Sequence, residues 1–275
     1  MTDWPAIIAA DFVVPPGHAL PDLVDELLVA LCSPDPALRD EQAYPVLTAW
    51  IMAGHLDGQL TRLGEQVIGL LAHPQIQART FAALILAALV HRDTAAAVLD
   101  TQSLLRWTDS FADWWLAETD LRGWDDQLGW LHAVAHGADV IGELGLSPRL
   151  GGDNLARLLD LACARLLAPT SYVFAHQEDD RAALAMATIL ARSELTAAAA
   201  TGWLGPVRRY LEASRPGPVS APAANTMRTL RSLYLMADRG FRPDPDQSEK
   251  HIPPHRAEIL AALSDVLHLA FPHQL

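Results

Sequence analysis

Lysine is almost missing from this chain. Of its 20 Lys and Arg residues only Lys250 is lysine, against 33 Asp and Glu, and the formal net charge is -13. Such a balance argues against a nucleic-acid partner and against an anionic membrane surface, and leaves a neutral or cationic partner easier to accommodate. Cysteine is scarce too. Cys32 and Cys163 sit far apart inside apolar helical patterns, and no spacing pairs them. Reduced thiols in a cytoplasmic protein are the expectation. Tyr and Phe, with four and six copies, are few beside a 51% hydrophobic content dominated by Ala and Leu, which favours helix over strand. The longest apolar run, Phe81 to Val90, is about half of what spans a bilayer. The N-terminal MTDWPAIIAADFVVPP lacks the basic start and apolar core of a secretory signal. Nucleophile elbows, phosphate-cradling glycine loops, dinucleotide fingerprints and the zincin H-E-x-x-H are also lacking, so the enzyme classes they mark are not indicated.

What is present is helical periodicity. Leu23, Val24, Leu27 and Leu28 make an apolar stripe at i, i+1, i+4, i+5 within a helix over 21–31. Asp35-Pro36 reads as a cap and first turn, starting a helix that runs to about Met52. Further helices are predicted over 60–71, 75–91, 101–118, 128–144, 153–167, 178–191, 194–213, 222–238 and 255–270, and the stretches 215–222 and 242–255 read as loops. The segment SPDPALRDEQAYPVLTAWI looks like the first helix of a HEAT-type repeat, and HPQIQARTFAALILAALV looks like another, about 40 residues on. The expected fold is therefore all-α, a single domain over 1–275, with helical hairpins stacked as an α-α superhelix.

Chemistry gathers in Glu118 to Glu143, ETDLRGWDDQLGWLHAVAHGADVIGE. On a helix through this region His132, His136, Asp139 and Glu143 fall within roughly 60° of one another, at about 100° per residue. The functional reading makes His132, His136 and Asp139 ligands of zinc, iron or manganese, with outside acids completing the shell. The structural reading makes the stripe the wet side of an amphipathic helix that buries Val134, Ala138, Ile141 and Leu144. Acids at Glu178, Asp179 and Asp180 complement a helix dipole in one reading. In the other, Asp179 or Asp180 faces the histidine helix, with Arg181 holding a carboxylate in bidentate fashion. Arg122 either binds an anionic ligand or locks its own turn through Glu118 or Asp120. Most of the tryptophans read as core, but Trp124 and Trp130 flank a turn and are placed to line a pocket.

The strings E-x-D-x-R-G-W, G-W-x-H-A-x-A-H-G-A-D and, about forty residues later, E-D-D-R resemble a bacterial family of unknown function, DUF2785. The resemblance rests on Glu118, Asp120, Arg122, Gly123, Trp130, His132, His136, Asp139, Glu178 and Arg181. It implies kinship and carries no activity or catalytic residue with it. Two functions follow from the residues. One is a binding or scaffold module that offers Glu118, Asp120, Arg122, Trp130, Asp139, Glu178, Asp179 and Arg181 in a groove to a protein, peptide or small molecule. The other is a metal-dependent hydrolase with His132 and His136 as ligands and an acid as general base.

Overall fold

The computed structural model describes residues 2–214, 217–244 and 248–270. Helix α1 (Trp4–Ala9) starts where the Asp3 carboxylate accepts the Ala6 N–H at 3.0 Å, with Pro5 in the first turn. It was not expected from the sequence. Helix α2 (Leu20–Leu31) buries the expected stripe. Asp35 caps α3 (Pro36–Leu38), which passes through a π-helical turn, Arg39–Ala43, into α4 (Tyr44–Met52). The widened turn has a cause in the sequence. Pro45 has no N–H to give the Glu41 carbonyl, so the i→i−4 ladder breaks there. Helices α5 (Leu60–Leu70), α6 (Ile76–Ala96) and α7 (Thr101–Ala117) follow, and α6 is buried on nearly every side.

A small hairpin comes next: β1 (Trp124–Asp125) pairs antiparallel with β2 (Gly129–Trp130), with Trp124 opposite Trp130. The remaining helices are α8 (Ala133–Leu146), α9 (Gly152–Leu167), α10 (Glu178–Leu190), α11 (Ala197–Gly202), α12 (Leu204–Glu212), α13 (Ala221–Arg239) and α14 (Arg256–Ala270). Among the described residues the protein is all-α apart from the hairpin and a bridge between Phe241 and His251. No helix among the described residues is long and apolar enough to cross a membrane.

The chain forms two compact units. The first is Met1–Trp114 with Asp120–Val140, and the second is Trp115–Thr119 with Ile141–Leu275. Within the first, α2, α4 and α6 pack on one another, and α5 packs on α6. Its centre is built from Leu27, Leu47, Trp50, Leu86 and Trp107, all essentially inaccessible. Within the second, α10 lies along α13, which also meets α9 and α14. Its centre includes Leu159, Met186, Leu190, Leu230 and Leu263.

Three expectations need correction. The helix drawn over 128–144 begins only at Ala133, because Gly129 at φ 72° and the two paired tryptophan segments commit 124–130 to a hairpin. The helix drawn over 194–213 is two, capped by Thr196 and interrupted at Trp203, where Pro206 sits in the first turn of the second. The loop at 215–222 ends earlier than expected, since Ser220 already caps α13. Residues 215–216 and 245–247 of the two expected loops lie outside the described residues.

Candidate ligand site on the tryptophan hairpin

The hairpin is built by one aspartate and one arginine. Asp125 Oδ1 accepts the N–H groups of Gln127 at 2.9 Å and Leu128 at 3.0 Å, which closes the turn and holds its own carboxyl below the usual range. Gly129 follows in the left-handed region, and a Cβ there would stand 3.1 Å from Pro36 Cγ. Arg39, fully buried, reaches up from the π-helical turn. Its Nη2 donates to the Leu128 carbonyl at 2.6 Å and its Nη1 to the Ser33 carbonyl at 3.1 Å. Its Nε pairs with Asp40 at 2.6 Å, and its guanidinium lies 4.7 Å above the Phe81 ring. Burial nonetheless pushes the Asp40 carboxyl up, outweighing the arginine that lowers it.

The aromatic face of the hairpin is open. Trp124 and Trp130 meet edge to face at 4.8 Å, and each keeps 43% of its surface exposed. His132 packs against Trp130 at 4.4 Å. Arg122 bridges Asp120 at 2.7 Å and Asp125 at 2.5 Å. The hydrogen bond from Arg122 holds the Asp120 carboxyl down and raises the guanidinium in return. Of the two sequence readings for Arg122, the locked turn with Asp120 is the one formed.

His132 is not on the helix. It stands just before α8 at φ 51°, a left-handed conformation that histidine adopts more readily than most residues, and its carbonyl accepts the His136 N–H at 2.8 Å. The imidazoles are neighbours, with ring centroids 5.6 Å apart. His136 is 5% exposed, so the expected accessible stripe is in fact partly core. Its Nδ1 bonds the Thr80 carbonyl at 3.1 Å and its ring meets Phe81 edge-on. A carbonyl only accepts, which assigns the proton to Nδ1. Asp139 is half-buried on α8, while Val134, Ala138, Ile141 and Leu144 are buried as expected. Among the described residues no group of three or more His, Cys, Asp or Glu is arranged to hold a metal ion. Among the described residues, His132, His136 and Asp139 are thus not joined into a set of three metal ligands.

The other predicted site residues belong to the second unit. Glu118 is buried; its Oε1 accepts the Thr119 N–H at 3.0 Å, and its carbonyl accepts the buried Arg165 at 2.9 Å. Glu178, fully buried, accepts the Tyr172 hydroxyl at 3.0 Å and the His176 N–H at 2.7 Å. Asp179 pairs with Arg228 at 2.7 Å, and Asp180 takes the Ser232 hydroxyl at 2.6 Å. Arg181 is half-buried in the first turn of α10. Each of the three acids of this turn thus has a separate partner in its own unit.

Arg39 was missed in the sequence. Its signal was there: Arg39, Ala43, Val46 and Trp50 follow helical spacing, and all four are buried. An arginine on an apolar stripe calls for carbonyl and carboxylate partners.

No curated protein and no protein of solved structure matches the chain. The sequence profile of DUF2785, described as a protein of unknown function, matches residues 66–235 and so takes in the hairpin, both histidines and the acidic start of α10. With more than half of its length inside that match, the chain belongs to the DUF2785 family.

Proposed function

We propose that the protein is a binding module whose ligand docks on the Trp124–Trp130 hairpin of the first unit. Asp120, Arg122 and Trp130 line the site, and Arg39 positions it from beneath. The observation that carries this reading is the exposure of two mutually packed indoles on a hairpin held by a fully buried guanidinium. Large aromatic surface left in water is unfavourable, and rigid exposed tryptophans are typical anchors of binding sites. The ligand is a small molecule or a peptide side chain, in keeping with the small size of the aromatic face. Alternate packing of α2, α4 and α6 in the first unit supports an α-α superhelical arrangement of hairpins. Two free thiols, Cys32 and Cys163, fit action in the reducing cytoplasm.

A thermal-shift screen of chemically diverse metabolites and short peptides tests the reading. Ligands should raise the melting temperature of the natural protein and lose that effect in the Trp124→Ala/Trp130→Ala variant. A screen without ligands, or one whose ligands stabilise the variant equally, would overturn it.

A further inference from the structure

We infer that the hairpin takes an organic cation, an alkylammonium group, against its tryptophan faces; this rests on the binding-module reading above. Two observations converge with a general property of indoles. The indoles cross at 75°, so one ring edge meets the other's face and both remain 43% exposed to an incoming group. Tryptophan is the strongest aromatic partner for a cation, whose charge is drawn to the electron-rich ring face. Trp124 Nε1 donates to Asp126 Oδ1 at 3.2 Å, and a carboxylate accepting that hydrogen enriches the indole further.

Local charge points the same way. Asp120, Asp125 and Asp126 set three negative charges at or beside the hairpin against Arg122 and, close enough to act on Asp120, Arg79, while the buried Arg39 beneath is matched by Asp40, so these acids outnumber the other two cations by one. The Arg122 guanidinium is already engaged by two of those carboxylates, and the whole chain carries -13. A phosphate or carboxylate ligand would meet repulsion at this surface, whereas a cation gains from both rings and field. A neutral sugar would stack on the same indoles, but would draw nothing from the acids.

Choline and 3,3-dimethyl-1-butanol share a shape and differ by the charge, so they separate these cases. Tryptophan fluorescence is titrated with each at constant ionic strength, together with an acetylated, amidated trimethyl-lysine peptide. Choline should saturate, bind about tenfold more tightly than the neutral isostere, and weaken about tenfold in Trp130→Ala. Asp126→Asn, an exposed change that leaves both rings in place, should weaken choline and not the isostere. Tighter binding of the peptide than of choline would identify a methylated side chain as the source of the same cation. Equal binding of choline and its isostere would overturn the cation inference and leave the binding module standing. Failure of choline, while ligands from the thermal-shift screen still depend on Trp130, would have the same meaning. If no screened compound binds either, both readings fall.

Discussion

At the scale of single residues, buried polar groups decide most. Arg39 holds its place by hydrogen bonds to Asp40 and to the Ser33, Leu128 and Trp130 carbonyls and by the Phe81 ring, and removing its guanidinium takes the donor from the Leu128 carbonyl and the partner from the part-buried Asp40. Arg39→Met should therefore destabilise the protein by about 3 kcal/mol, measured by urea denaturation, and should loosen the hairpin. A loss under 1 kcal/mol would show that the clamp is dispensable. Gly129 makes a second, independent claim on the same hairpin. Its φ of 72° and the 3.1 Å approach to Pro36 mean that Gly129→Ala should cost about 1–2 kcal/mol. Cys163 is inert for a different reason: burial pushes its thiol up to about 12, so almost no thiolate exists near neutral pH. Titration with a thiol reagent at pH 8 should leave Cys163 unreacted in the native protein and find it after denaturation.

At the scale of elements, close approach and charge geometry outweigh local propensity. Gly64 lies within α5, where alanine would ordinarily add about 1 kcal/mol of helix stability. Here an added Cβ would fall 2.0 Å from the Trp107 ring, which is buried and tethered by a 3.0 Å bond from its Nε1 to Glu65. Overpacking should win, and Gly64→Ala should lower stability by about 2 kcal/mol in thermal unfolding. A raised melting temperature would mean that the helices can separate. Arg192, just beyond α10, donates to the carbonyls of Gly145 at 2.6 Å and Ser147 at 3.0 Å at the end of α8. Glu194 holds that guanidinium in place at 2.6 Å, and the hydrogen bond from Arg192 draws the glutamate down to about 2. A depressed carboxylate stabilises the fold above its ordinary value, about 4.3, and loses that contribution as pH falls toward 2. The melting-temperature difference between natural protein and Glu194→Gln should therefore be present at pH 6 and gone near pH 2. A constant difference would show that the pair does not contribute.

For the whole molecule, we propose that the chain unfolds as one domain. The division into two units falls inside the continuous helix α8, between Val140 and Ile141, and residues 115–119 count with the second unit although the chain on both sides of them counts with the first. Calorimetry should record a single transition, and two separate transitions would count the units as domains. Membership of the DUF2785 family is legible in the sequence, because Glu118, Asp120, Arg122 and the H-A-x-A-H-G-A-D string stand close together in it.

The helical class and most helix positions follow from local stretches of the chain. Ala/Leu content, Asp35-Pro36, His73-Pro74 and the stripe of α2 act over a few residues, and local rules suffice to read them. The character of the site comes instead from long-range packing. His132 and His136 share a stripe in a helical projection, yet the hairpin claims the residues before Ala133 and leaves His132 at φ 51°, off the helix. His136 is carried into the core, where the Thr80 carbonyl, 56 residues earlier, takes its Nδ1 hydrogen. Arg39 meets the hairpin across 89 residues of chain, a contact that no local pattern encodes. Periodicity says which side of a segment is apolar, but what stands opposite a polar group depends on which distant backbone arrives there, and packing alone settles that.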